Sequence, residues 1–229
     1  MKKIFKISGS FAEQELLFRS LSGDEAISSL YEFQLQFLSK DIGFDAKALI
    51  GEEITLNVEI EGKRRYLSGL VTRVKRIAKE TLTERYFIFE ASIRPWLWLA
   101  TQNNHYRIHQ KKTIPEIIRE TLEDYPFELE FRTSGSYRQW GYCVQYDETD
   151  FEFISRLMEH EGLYYWFEHS QAKHRLIIAD DRHQHKAVAA YDSMKFYDRR
   201  SGLDHEEGHF YQWQPRLSLS PNKLSLIHI

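Results

Sequence analysis

Polar and apolar residues alternate along LYEFQLQFL, residues 30–38. Phe33, Leu35 and Phe37 share one face, and Glu32, Gln34 and Gln36 share the other. This period of two predicts a strand with one buried face. ITLNVEI, residues 54–60, repeats the pattern with Ile54, Leu56, Val58 and Ile60. Between the two, DAKALIG predicts one short helical turn closed by Gly51. RRYLSGLVTRVKRI and ERYFIFEASI predict two more strands around a polar turn. Short consecutive strands joined by turns predict a barrel or sandwich, bounded here at roughly residues 1–95.

The pattern changes at Pro95 and the Trp-rich PWLWLA. KTIPEIIRETLEDYP then predicts a helix. Thr113 and Glu116 form a capping box, and Pro115 sits just inside the start. Ile114, Ile117, Ile118 and Leu122 fall on one face, with Glu116, Arg119, Glu120 and Glu123 opposite, and Pro126 ends the segment. FELEF (127–131) and YCVQY (142–146) predict strands. DETDFEFISRLMEHEG predicts a second helix, with Thr149 and Glu152 at capping-box spacing and Gly162 as a left-handed cap. Its apolar side carries Phe151, Phe153, Ile154, Leu157 and Met158, and its polar side Glu152, Ser155, Arg156, Glu159 and His160. LYYWFEH and RLIIAD predict a hairpin around a polar SQAKH loop. The polar, His-rich stretch 180–209 predicts one strand between exposed loops. YQWQPRLSL predicts a last strand, with Tyr211, Trp213, Leu217 and Leu219 on one face. The predicted class is α+β, mostly β: a barrel-like domain over 1–95, then a mixed region over 96–223 with two amphipathic helices.

Composition sharpens this only in part. Fifteen Phe, thirteen Tyr and five Trp favour strands. A net charge of −3 without a basic block argues against a nucleic-acid footprint. Cys143 is the only cysteine, so no disulfide can form within one chain, and a reducing compartment is expected. The opening MKKIFKISGSFAEQELL lacks the apolar core of a secretory signal, and no apolar run is long enough to span a membrane. Export, if it occurs, is expected by a route other than the general signal-peptide pathway.

One short motif raises the question of catalysis. Residues 205–209, HEEGH, match H-E-x-x-H, in which two imidazoles on one helical face hold zinc and the glutamate acts as general base. Three features oppose a helix here. Gly208 sits inside the required turn, where it costs about 1 kcal/mol relative to Ala. SGLD upstream is a turn composition, and the chain downstream alternates like a strand. On a strand, His205 and His209 would lie roughly 13 Å apart at the backbone, too far to share one ion. No Asp or Glu follows His209, and the positions of a third-histidine pattern hold Gln212 and Pro215. The expectation is a solvated loop, with a zinc hydrolase through His205, Glu206 and His209 as the alternative of another class.

Other candidate chemistry is sparse. His160, Glu161, His169 and His174 surround a helix end and a hairpin, and helical rotation puts His160 on the solvated face. Asp180 and Asp181 are adjacent after an apolar strand, so they point opposite ways and form no convergent carboxylate pair. Cys143 lies in an aromatic strand and reads as packing. There is no G-x-S-x-G elbow, phosphate loop or dinucleotide fingerprint. No catalytic, cofactor-binding or metal-binding residues are therefore assigned. A carbohydrate-binding module ranks last, because most aromatics fall at core positions.

The stretch YCVQYDETDFEFISRLMEHEGLYYWFEH (142–169) resembles the VgrG family, the tip proteins of type VI secretion systems. IRPWLWLA (93–100), YRIHQKKTIPEII (106–118) and LIIAD (176–180) match the same family in order and spacing. The resemblance implies a structural role without enzymatic activity or cofactors: the N-terminal hub of a homotrimeric spike, related to phage tail baseplate hubs. It implies that the trimer seats on the hexameric Hcp tube and carries the puncturing tip, with effectors or adaptors bound through further C-terminal segments. Assembly in the bacterial cytoplasm and secretion by the type VI system without a signal peptide are implied too. In the family, HEEGH corresponds to a variable acidic loop. The tail hub of a phage or phage-derived particle is the alternative within this class. Residues 224–229, LSLIHI, are the in-frame translation of a transposase end sequence used in sequencing libraries. They are expected to be an artefact, with the authentic sequence running to about Lys223.

Overall fold

The computed structural model describes residues 4–9, 16–41, 43–60, 63–79, 86–171, 173–186, 195–197, 209–210, 212–215 and 217. Residues Lys2–His185 pack as one unit, and the chain from Lys186 onward belongs to another.

Six antiparallel strands open the first unit: β1 (Ile4–Gly9), β2 (Leu17–Asp24), β3 (Glu32–Ser39), β4 (Glu53–Ile60), β5 (Lys63–Lys79) and β6 (Phe87–Arg94). They form one sheet in the order β1-β4-β5-β6-β3-β2. The predicted alternation of β3 appears as burial of Phe33, Leu35 and Phe37. The same holds for Ile54 and Leu56 of β4. The sheet curls so far that its two edge strands meet. Phe5 of β1 stacks on Phe18 of β2, with ring centroids 4.4 Å apart. Side chains, not a strand ladder, join these edges among the described residues. Irregular register in β5 at Val71/Arg73 and Arg76/Ala78 supplies curvature. Phe37, Phe44 and Phe89 fill the interior, with Phe37 and Phe89 stacked at 5.5 Å. The expected turn between β3 and β4 is a short 3-10 helix, Ala46–Leu49, followed by Gly51 at φ 87°.

Gly69 is required by close packing. A Cβ there would lie 2.7 Å from Ile93 Cγ2, 2.8 Å from the Arg94 carbonyl oxygen and 3.0 Å from the Tyr31 hydroxyl.

After Pro95 a 3-10 turn, Trp96–Thr101, leads into β7 (Asn104–His109) and α1 (Ile114–Thr121). Then come β8 (Glu128–Arg132), β9 (Cys143–Thr149), α2 (Asp150–Glu161), β10 (Tyr164–Ser170) and β11 (Lys173–Ala179). Both helices begin as their spacing predicts. The Glu116 carboxylate accepts from the Thr113 N–H at 2.7 Å. At α2, Glu152 N–H donates to Thr149 Oγ1 at 3.1 Å, while the Glu152 carboxylate accepts from the Thr149 N–H at 2.9 Å. Gly162 closes α2 in the left-handed region at φ 74°. The apolar faces bury Ile114, Ile117 and Ile118 from α1, and Phe153, Ile154, Leu157 and Met158 from α2. With the inward residues of β10, β11 and the barrel they form one continuous core. β11 pairs antiparallel with β10 and parallel with β8, while β7 and β9 form a separate antiparallel ribbon. No helix among the described residues is long and apolar enough to cross a membrane.

In the second unit, β12 (Lys195–Phe196) pairs in parallel with β13 (His209–Phe210). The strand expected in YQWQPRLSL is absent over residues 212–215. Trp213 and Leu217, expected to share one apolar face of that strand, are 75% and 98% exposed. Pro215 lacks the N–H a ladder needs, and no described strand lies alongside to pair with this segment.

Candidate functional site

A buried polar constellation lies where the barrel meets β10 and β11. Its origin is a gap in the sheet. β5 continues past the end of β6, whose last residue, Arg94, pairs with Leu70. Ser68 therefore lacks a strand on that side, and its backbone groups must find other partners. The Tyr31 hydroxyl donates to the Ser68 carbonyl at 2.6 Å, and the Ser68 N–H donates to His169 Nδ1 at 3.0 Å. Ser68 Oγ donates to the Ser170 carbonyl at 2.9 Å, which leaves the Thr55 hydroxyl to donate to Ser68 Oγ at 2.9 Å.

A second histidine repeats this logic from β11. The Trp96 N–H donates to His174 Nε2 at 2.8 Å. The opposite ring nitrogen, Nδ1, lies 2.7 Å from Glu53 Oε1, which also accepts from the His174 N–H at 3.0 Å. On the other ring, His169 Nε2 lies 3.1 Å from Glu25 Oε1. Each ring accepts a backbone N–H with one nitrogen, so the proton sits on the other and points at a carboxylate. The assigned tautomers are Nε2–H for His169 and Nδ1–H for His174. Burial drives the His174 pKa below its ordinary value, outweighing the pull of Glu53. Burial also pushes the Tyr31 hydroxyl well above its usual range. Burial of Glu25 would raise its pKa, but His169 and then Arg65 together hold it below the usual value.

Asp150, the first residue of α2 and 1% exposed, anchors another cluster. It accepts from Gln145 Nε2 at 2.8 Å, the Tyr125 hydroxyl at 2.9 Å and Asn103 Nδ2 at 3.4 Å. Burial, and then Asp150, push Tyr125 up to about 12. Asp180 accepts from the N–H groups of Ser134 at 2.9 Å and Gly135 at 2.7 Å, and from the Tyr137 hydroxyl at 2.8 Å. These clusters hold β7, β9, α2 and the loop after β8 in place. Cys143 is buried, and burial pushes its thiol pKa up, the opposite of what a nucleophile needs. Among the described residues no three potential metal ligands converge.

The outer surface offers two contrasting faces. On the β7–β9 ribbon, Tyr106, Ile108 and Tyr146 stand 66%, 61% and 74% exposed. The rings of Tyr106 and Tyr146 meet edge to face at 5.3 Å. Across β11, β8 and β10 runs a charged ladder. Arg175 bonds both Glu128 and Glu130, and Arg132 bonds both Glu130 and Glu168. The interior is not fully paired: among the described residues, Trp96 Nε1, Gln145 Oε1 and the Tyr165 hydroxyl are buried without a hydrogen-bond partner.

A family model described as the phage tail baseplate hub matches residues 24–228. The chain belongs to the phage tail baseplate hub family. This hub chain is 35% identical over 98% of its length to a type VI secretion system spike protein, VgrG1c, of Pseudomonas aeruginosa. It is 33% identical over 99% of its length to a second, VgrG1a. The VgrG resemblance read from residues 142–169 is thus borne out. The hub chain spans only 31% and 35% of those relatives' lengths. A solved Escherichia coli component of the type VI secretion system, described as similar to T4 bacteriophage tail proteins, shares the fold with a TM-score of 0.72 at 19% identity. That match covers 86% of this chain and 53% of the other.

The residues of the zinc motif do not form a described site in the hub chain. His205, Glu206 and Gly208 lie outside the described residues, as do residues 224–229. His209 opens β13, a strand and not the helix a zinc peptidase motif requires. His160 stands exposed on the polar face of α2, as its rotation predicts. The sequence pattern gives neither His169 nor His174 a role and puts His174 in the SQAKH loop. The structure puts it in β11, 2% exposed. A signal was present, since His174 continues the inward phase of Leu176 and Ile178, and His169 that of Tyr165 and Phe167.

Proposed function

We propose that this chain forms the hub end of a type VI secretion spike. Three copies assemble into a ring that seats on the hexameric Hcp tube. Segments following those described carry the puncturing tip and any effector or adaptor. The role is structural and non-enzymatic: residues 1–95 supply a barrel for the ring, and 96–223 a mixed region braced against it. Assembly takes place in the bacterial cytoplasm, and the type VI system itself exports the product. The observation that carries this reading is the family match over residues 24–228, joined to relatives named as type VI spike proteins. The curled six-stranded sheet and the exposed Tyr106–Tyr146 ribbon suit assembly, which needs shape and surface.

The test is co-assembly. Light scattering on the purified chain joined to its genomic downstream sequence should give three copies per particle. Hcp rings should co-sediment with that particle. A monomer that leaves Hcp in the supernatant would refute the reading. The hub of a phage-derived particle is the second reading, favoured by the family description itself. Neighbouring sheath and Hcp genes, against phage morphogenesis genes, separate the two.

A further inference from the structure

We propose that His169 and His174 form an acid-released latch between the barrel and the β10–β11 hairpin. The inference is independent of the assembly reading and rests on four contacts. Each ring accepts a backbone N–H: Ser68 of β5 at 3.0 Å for His169, and Trp96 at 2.8 Å for His174. Each faces a carboxylate on its other nitrogen: Glu25 at 3.1 Å and Glu53 at 2.7 Å. Glu25, Glu53 and Ser68 belong to the barrel side, and both histidines to the hairpin. The latch therefore spans the junction twice.

Acid acts on the accepting nitrogen. A proton taken from solvent by His169 Nδ1 or His174 Nε2 turns an acceptor into a donor. That new N–H points at another N–H, and the backbone amide is left buried without a partner. The rings cannot turn away freely. His174 is packed against Tyr31 and Phe167, and His169 against Tyr31 and Phe33. The two ring centroids lie 6.3 Å apart, so charging one ring opposes charging the other, and opening relieves both. The titratable and charged groups facing the two rings are Glu53, Glu25, Arg65 and Tyr31. Glu53 of β4 draws a proton to His174, and Glu25 draws one to His169. Arg65 lies 3.8 Å from Glu25 and offsets that attraction. Tyr31, held neutral by burial, adds no charge. While the accepting nitrogens are unprotonated, the rings satisfy both amides and the latch is closed.

The test needs no variant to begin. Nitrogen-15 imidazole shifts of the full chain should report Nε2–H for His169 and Nδ1–H for His174 at about pH 8. Between about pH 8 and 5, protonation should coincide with a roughly tenfold or greater loss of hydrogen-exchange protection at the Ser68 and Trp96 amides, after correction for intrinsic rates. Leu35 in the barrel should stay protected, which separates latch opening from global unfolding. His169→Asn and His174→Gln each keep an acceptor where the ring nitrogen stood. In the double variant, protection at both amides should no longer depend on pH. Three results would overturn the proposal. Either ring could charge without loss of protection, both rings could stay neutral to about pH 4.5 in the folded chain, or the double variant could open with the wild-type profile.

Discussion

The Tyr31 hydroxyl donates to the Ser68 carbonyl at 2.6 Å, taking a place that β6 vacates by ending at Arg94. The ring is 1% exposed and stacks on Phe33 with centroids 4.8 Å apart, so the donor is pre-positioned. Tyr31→Phe keeps the packing and removes the donor from a buried carbonyl. We expect a loss of about 1–3 kcal/mol of stability, read from denaturant melts with an unchanged slope. A loss below about 0.5 kcal/mol would mean that water satisfies the carbonyl and the hydroxyl is dispensable.

Gly69 tests the same junction from the backbone. Its missing Cβ leaves room for Ile93, the Arg94 carbonyl and the Tyr31 hydroxyl. The carbonyl cannot swing away, because Arg94 is paired to Leu70 in the ladder. Gly69→Ala should therefore destabilise by about 1–3 kcal/mol through overpacking, despite the better strand propensity of alanine. Thermal unfolding of the single variant decides it, and an unchanged or raised midpoint would show that the contact relaxes without strain.

These two residues mark what local reading could not reach. The alternation of Phe33, Leu35 and Phe37, and both capping-box starts, are short-range signals, and the folded chain displays them directly. The meeting of Phe5 with Phe18 depends on how far six strands curl, which no window of ten residues encodes. His169 and His174 carry the inward parity of their strands, but their polarity and position in or near the SQAKH segment read as loop. Their burial makes sense only beside the two backbone amides that need acceptors, and those amides come from distant sequence. The opposite error occurred at Trp213 and Leu217. Alternation alone predicted a strand there, but alternation does not supply a partner, and Pro215 removes a donor.

Asp150 should be among the least replaceable side chains in the mixed region. It is buried and accepts from Gln145 and Tyr125, with the Arg107 guanidinium at 3.7 Å. Asp150→Ala would remove an acceptor shared by Gln145, the half-buried Tyr125 and Arg107, for a loss of about 2–3 kcal/mol. Asp150→Asn should be milder and has a second signature. The Tyr125 hydroxyl, pushed up to about 12, should ionise at lower pH once the neighbouring charge is gone. The difference in phenolate absorbance between each background and its Tyr125→Phe partner isolates that one group. An unmoved Tyr125 titration would assign its shift to burial alone.

The start of α2 offers a smaller, cleaner effect. Thr149 accepts from the Glu152 N–H, and its own N–H is accepted by the Glu152 carboxylate. Thr149→Ala breaks one half of the box and should remove about 1 kcal/mol. Glu152→Gln keeps an acceptor for the Thr149 N–H and should change stability by less than half as much. Equal losses in the two variants would show that charge at the helix start, and not the hydroxyl, holds this end.

The charged ladder yields a pH prediction with a definite sign. Hydrogen bonds from Arg132, and then Arg175, hold Glu130 down from its ordinary 4.5 to about 2. A carboxyl whose folded pKa is depressed binds its proton more weakly in the native chain than in the unfolded one. Its contribution is therefore complete above about pH 4.5 and is lost as pH falls towards about 2. The side chain is 37% exposed, so solvent and salt screen the pairs. The realised stabilisation belongs with exposed ion pairs, at about 0.2–1 kcal/mol. Glu130→Gln should accordingly flatten the acid limb of the stability curve between about pH 4.5 and 2 while leaving neutral stability within about 1 kcal/mol. Added salt should narrow the gap between wild type and variant. A gap that widens on acidification would give Glu130 the opposite sign, and one insensitive to salt would mean that packing of the Arg132 side chain over Trp166, at 5.8 Å, carries the effect instead.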